Sequence, residues 1–135
     1  MLEPRSIKVL AYNLETILAE KLETIISRGD QNTRPRDYYD VYIIRQLQWN
    51  NIDLSTLKDA LTATAEKRGT LAVMRRWAEI IATIERSEIM KKHWLGYQIQ
   101  FDYASDLPYE VVCRTIKEIL TSVFPSNGFS RNMFA

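Results

Sequence analysis

Lys21, Arg34, Asp37 and Asp40 are the residues of this 135-residue chain whose types and spacing suit chemistry. Asp37 and Asp40 stand one helical turn apart inside RPRDYYDVYII (residues 34–44), a run apolar and aromatic enough to be buried on most sides. Arg34 comes three residues before the first carboxylate. A lysine acts as a point charge on phosphate oxygens, and paired carboxylates act as metal ligands or proton acceptors. The same residues equally suit a structural ion-pair network, with Lys21 and Arg34 or Arg36 neutralising the aspartates. Asp37, near a helix start, gains from the helix dipole in either case.

Helical geometry explains why these charges stand out. At about 100° per residue, with Leu14 at zero, Ile17 falls near −60°, Ile25 near 20°, Leu18 near 40° and Leu22 near 80°. Lys21 falls at about −20°, in the middle of that apolar arc, whereas Glu20 and Glu23 fall opposite, where solvated charges are expected. In the next helix, with Asp37 at zero, Val41 lies at about 40°, Ile44 at about −20°, Asp40 at about −60° and Leu47 at about −80°. Packing through these two arcs would bring the lysine against both aspartates. Isolated charges there must be paired, or must meet a ligand or a metal. Pattern alone leaves the ion-pair network and the phosphate or metal site both open.

The elements that must position these residues are helical. Asn13 is a candidate N-cap for a helix carrying Leu14, Ile17, Leu18, Leu22, Ile25 and Ile26, with Gly29 just past its end. Pro35 suits the first turn of a second helix running to about Leu47. A third starts after Asp53 or Ser55, shows Leu57 and Leu61, and stops near Gly69. Leu71, Met74, Trp77, Ala78, Ile81 and Ile84 mark a fourth. Ser87 caps a fifth with Ile89, Met90, Trp94 and Tyr97, and Gly96 weakens its middle. The last begins around Pro108, carries Val112, Ile116, Ile119, Leu120 and Val123, and is ended by Pro125. The expected fold is all-α or nearly so, a compact bundle of about six helices. One short N-terminal strand over residues 7–12 is an option, although a lone strand has nothing to pair with. Residues 1–124 form a single helical domain in this reading, and residues 125–135 a loosely held tail.

Eighteen basic against seventeen acidic residues leave the chain nearly neutral, so no global charge argues for a nucleic-acid or membrane partner. One cysteine, Cys113, makes no internal disulfide, and a reducing, cytoplasmic setting is the default. The N-terminus lacks a signal-peptide h-region, and no apolar run is long enough to span a membrane. His93 and Cys113 read as packed helix residues, and the three tryptophans and seven tyrosines as core and rim. The pairs Arg75–Arg76 and Lys91–Lys92 are candidate RNA phosphate contacts or ordinary surface charges.

LETILAEKLETIISR, a short polar loop and then RPRDYYDVYII together resemble the C-terminal half of AbiEii/AbiGii-type nucleotidyltransferase toxins. The family's helix motif A-x-K-x-x-A is matched by Ala19 and Lys21, with Thr24 in place of the second alanine. Its R-x-x-D-x-x-D motif is met in full by Arg34, Asp37 and Asp40. The stretch HWLGYQIQFDYASDLPYEVVCRTIKEIL is similar to the family's C-terminal helices, so the resemblance covers nearly the whole chain.

Members of that family are toxins of abortive-infection and toxin–antitoxin systems that transfer a nucleotide from a nucleoside triphosphate (NTP), for some members to the end of a tRNA. The resemblance implies that Lys21 and Arg34 bind the nucleotide phosphates and that Asp37 and Asp40 are catalytic. It also implies Mg²⁺, held mostly by a Gly-Ser turn and a D-x-D pair in an upstream lobe. This chain has neither motif and no metal site of its own in its sequence. It starts where the family's second half would start, so a missing N-terminal lobe or a second chain is an expected partner, alongside a cognate antitoxin and a tRNA acceptor. Alone, these residues are expected not to transfer nucleotides. The competing expectation is a non-catalytic helical interaction module in which Lys21, Asp37 and Asp40 are structural.

Overall fold

The computed structural model describes residues 14–125; the N-terminal strand option, the Asn13 cap and the tail beyond Pro125 lie outside the described residues. Local signals set most helix boundaries. Helix α1 (Leu14–Arg28) gives way to a 3₁₀ turn at Gly29, whose φ of 55° is the left-handed conformation that glycine adopts without strain. Pro35 opens α2 (Pro35–Gln48) at its first turn, where the missing N–H costs nothing. Asp53 caps α3 (Leu54–Arg68), accepting from Thr56 N at 2.8 Å, and Gly69 closes it at φ 72°.

Next, the expected fourth helix proves to be two. A turn at Arg76 separates α4 (Leu71–Arg75) from α5 (Trp77–Arg86). No proline or glycine lies in this stretch. The break follows from packing: α4 lies against α1 and α3, whereas α5 lies against α7 and the turn after α1. Ser87 caps α6 (Glu88–Gln100), accepting from Met90 N at 3.1 Å. Gly96 sits in open space on its exposed side and does not interrupt it. Pro108 precedes α7 (Tyr109–Val123). The described residues thus form seven helices and no strand, the all-α class expected.

Helix α1 is the spine, with α2, α3, α4 and α5 packed around it. Leu18, Ala19, Leu22, Ile25 and Ile26 are fully enclosed, and each large aliphatic so buried contributes roughly 1.5–3 kcal/mol. Leu57 and Leu61 of α3, Ile81 and Ile84 of α5 and the apolar face of α7 complete one continuous core. Two residues expected on buried arcs are instead exposed. Leu47 (70 % exposed) and Ile89 (55 %) project outward because the neighbours of α2 and α6 cover only part of each helix.

The largest departure is Glu23. Expected on a solvated face, it is 2 % exposed, because α3 and α4 cover the side of α1 opposite the Leu14 arc. Arg68 and the Thr70 hydroxyl pair with its carboxylate. Glu15, on the same helix, is also buried and accepts from Asp53 N at 2.9 Å. A helix wrapped on two sides can carry charge inward only where the next element supplies a partner.

Candidate functional site

The four singled-out side chains meet where α1 crosses the start of α2. Lys21 Nζ lies 2.9 Å from Asp40 Oδ2 and 3.5 Å from Asp37 Oδ1. Arg34 Nε approaches Asp37 Oδ2 at 3.6 Å from the N-terminal side, and Arg36 Nε stands 3.9 Å from Asp40 Oδ2. The side chain of Asp37 is 4 % exposed, that of Lys21 24 % and that of Asp40 29 %. Asp37 is therefore the enclosed member of the group, and the lysine stands between it and the more open Asp40.

Local structure holds this arrangement. Asn32 Oδ1 accepts from Arg34 N at 2.7 Å, and Arg34 O accepts from Asp37 N at 3.1 Å, so the loop turns tightly into α2. Asn32 is fully buried, and its carbonyl accepts from His93 Nδ1 of α6 at 3.2 Å. His93 is thus a partly buried residue that anchors the loop carrying Arg34. Asn32 went unmarked in the sequence; an Asx turn before Pro35 was the signal available for it.

Beside the group opens a cavity of about 230 Å³. Ile17, Glu20, Lys21 and Thr24 line it from one strip of α1, and Arg34 and Asp37 from the start of α2. The remaining lining residue is Arg68 at the end of α3, which sequence patterns did not single out. Asp37 Oδ2 is enclosed and accepts no hydrogen bond from the described residues, although it faces the Arg34 guanidinium. A carboxylate oxygen so enclosed is costly without a donor. Arginine forks and a lysine point charge around one polar cavity suit phosphate oxygens.

The residues present do not fit a resident metal ion. Both aspartates direct an oxygen at Lys21 Nζ, which occupies the position a bridging cation would take. Among the described residues there is no group of three His, Cys, Asp or Glu side chains able to hold a metal.

A family model described as nucleotidyl transferase AbiEii toxin, type IV TA system, matches residues 1–122. The chain belongs to the AbiEii nucleotidyltransferase toxin family. No curated protein and no solved structure matches it. Membership in the AbiEii family implies an NTP substrate and, for a type IV toxin, an antitoxin partner. No described helix is long and apolar enough to cross a membrane.

Other marked residues of this AbiEii-family chain lie away from the cavity. Cys113 is fully buried in α7, and burial pushes its thiol up to about 12, the opposite of an activated nucleophile. Arg75, Arg76, Lys91 and Lys92 are exposed, with Arg76 paired to Glu79 (3.0 Å) and Lys91 to Glu88 (3.2 Å). Near Asp40, Tyr39, Tyr97, Phe101 and Tyr103 form an aromatic cluster, with Tyr39 and Tyr103 centroids 4.7 Å apart. Burial, then the 2.7 Å hydroxyl contact with Tyr103, keeps the Tyr97 phenol above the ordinary tyrosine range.

Proposed function

We propose that the cavity beside Lys21 receives the phosphates of an NTP, and that these helices form part of a nucleotide-transfer site. The observation that carries this reading is the polar cavity itself, with Lys21, Arg34 and Arg68 on its walls beside Asp37. Lys21 and Arg34 bind phosphate oxygens, stabilising charge on the leaving pyrophosphate. Asp37 accepts the proton of an acceptor hydroxyl as its oxygen bonds to the α-phosphorus and the bond to pyrophosphate breaks. Asp40, at 2.9 Å from Lys21, acts through the lysine and is a positioning residue.

A metal-binding lobe with a D-x-D pair completes the site in this proposal, from a partner chain or from sequence outside these helices. Mg²⁺ would take its ligands there rather than from Asp37 and Asp40. The acceptor is an RNA end, such as that of a tRNA. Residues 1–124 act as the C-terminal helical module of this assembly.

Titration of GTP and ATP against the chain and Lys21→Ala tests the cavity. Weaker binding by the variant is expected, and indistinguishable curves would remove Lys21 from the site. Incubation with labelled NTP, tRNA and Mg²⁺ tests completeness. No transfer by this chain alone is expected, and Asp37-dependent labelling would show the site to be complete.

The closed Lys21–Asp40 contact supports a second reading, a non-catalytic interaction module with a structural ion-pair network. Under it, Lys21 and Asp37 variants lose stability and keep whatever nucleotide affinity the chain has.

A further inference from the structure

Arg68 reaches the cavity from α3, and its surroundings differ from those of an ordinary surface arginine. Its Nη1 donates to Glu23 Oε1, and to Thr24 Oγ1 at 3.3 Å. The other Glu23 oxygen accepts from the Thr70 hydroxyl at 2.9 Å. The Glu23 side chain is 3 % exposed and that of Arg68 is 42 % exposed. A buried carboxylate fixed by a second donor holds the guanidinium in one place. Arg68 lines the cavity, and its Nε and Nη2 make no hydrogen bond with the described residues, which leaves donors of the fork to spare.

We propose that Arg68 is a third phosphate contact, held by Glu23 and Thr70, so that α1, α3 and the residue capping α2 each supply one cation to a polyphosphate. This rests on reading the Lys21 cavity as an NTP site. Lys21, Arg34 and Arg68 line the cavity against two carboxylates, Glu20 and Asp37. Three cations from separate segments suit a chain of phosphates better than a single one. Fixing the fork in advance reduces the ordering cost when the ligand arrives. Arg68 therefore discriminates triphosphate from monophosphate.

The test titrates ATP and AMP, both with Mg²⁺, into the chain, Lys21→Ala, Arg68→Lys and the double variant Glu23→Gln/Arg68→Gln. The double variant removes the cation and the buried charge together and leaves neutral hydrogen-bonding groups, so it is expected to melt close to wild type. Its ATP affinity should fall about tenfold, with AMP affinity changed much less, and Arg68→Lys should fall between. Should Lys21→Ala weaken ATP while the double variant binds like wild type, Arg68 is no contact and the cavity reading stands. Equal losses for ATP and AMP would also overturn the proposal, since a general collapse of the pocket explains them. If wild type binds neither ligand, the cavity reading falls and this proposal with it. If the double variant does not fold, Arg68→Lys decides: unchanged ATP affinity refutes the contact, and a loss confined to ATP supports it.

Discussion

Replacing Lys21 by methionine keeps most of the packing stem and deletes the charge that faces Asp37 and Asp40. At 3.5 Å and an effective dielectric near 20, the Lys21–Asp37 attraction is roughly 5 kcal/mol before desolvation. Enclosing the carboxylate offsets several kcal/mol of that, and breaking a fully buried pair costs about 3–5 kcal/mol. Two features reduce the figure here. Lys21 is about a quarter exposed, and Arg34 stays 3.6 Å from the other Asp37 oxygen. The expected loss is about 2 kcal/mol, or about 8 °C in melting temperature for a chain of this length. Asp37→Asn alone should cost less, because Lys21 keeps Asp40.

The double variant Lys21→Met/Asp37→Asn closes a thermodynamic cycle, read by urea unfolding followed through tryptophan fluorescence and circular dichroism. A coupling of about 1–2 kcal/mol is expected; a value near zero would mean that Asp37 is not held by Lys21. The same proteins separate the two functional readings. ATP at about a hundred times its dissociation constant should stabilise wild type by about 2.7 kcal/mol, a rise of about 10 °C. Lys21→Met should show little of that rise if the cavity binds phosphate. A full rise would assign Lys21 to structure alone.

Three further outcomes are expected. Ser87→Ala removes the acceptor for Met90 N at the start of α6 and should cost about 1 kcal/mol by urea unfolding, with Ser87→Asp restoring most of it. Tyr38→Phe deletes a buried hydroxyl that makes no hydrogen bond with the described residues, so thermal melts should show no loss, or a gain of up to about 1 kcal/mol. Stability should be lost on the alkaline side. Burial raises the Cys113 thiol to about 12 and the Tyr38 and Tyr109 phenols further above their ordinary range. An unfolded chain releases these protons near pH 8.5 and near pH 10, while the folded one keeps them. The contribution is therefore complete below about pH 8.5 and declines as pH rises toward the folded values. Melts from pH 7 to 11 that stay flat would contradict it.

Sequence periodicity was informative where the deciding physics is local. Pro35, Gly29, Asp53, Gly69 and Ser87 punctuate helices through their own backbone preferences, and each stands where the pattern placed it. Lys21, Asp37 and Asp40 were legible because a charge on an apolar arc contradicts the arc's own logic, and the contradiction is resolved by pairing. What periodicity could not show is which helix covers which. The turn at Arg76, the exposure of Leu47 and Ile89, and the burial of Glu23 all depend on neighbours distant in sequence. Arg68 belongs to the same class. It lies forty-seven residues from Lys21 and stands among ordinary helix-end charges, AEKRG, which sequence alone reads as solvated and dipole-favoured.

The charged pairs of α1 form one design rather than two. Lys21 points to one flank of the helix and is held by α2; Glu23 points to the other and holds an arginine of α3. Between these two pairings runs the strip of Ile17, Glu20, Lys21 and Thr24 that stays open to the cavity. Apolar packing alone could have joined the three helices, and would have left no fixed cations at their junction. Salt bridges that are weak sources of stability are good sources of position, since Lys21 and Arg68 are each hydrogen-bonded to a carboxylate before any ligand arrives. A ligand bound there would touch three helices at once and should stabilise the whole chain. Thermal shift with ATP therefore reads the site and the fold together, and Asp40→Asn, which leaves Lys21 with only its longer contact to Asp37 while removing no proposed phosphate contact, should diminish the shift more than it lowers the melting temperature of the unliganded protein.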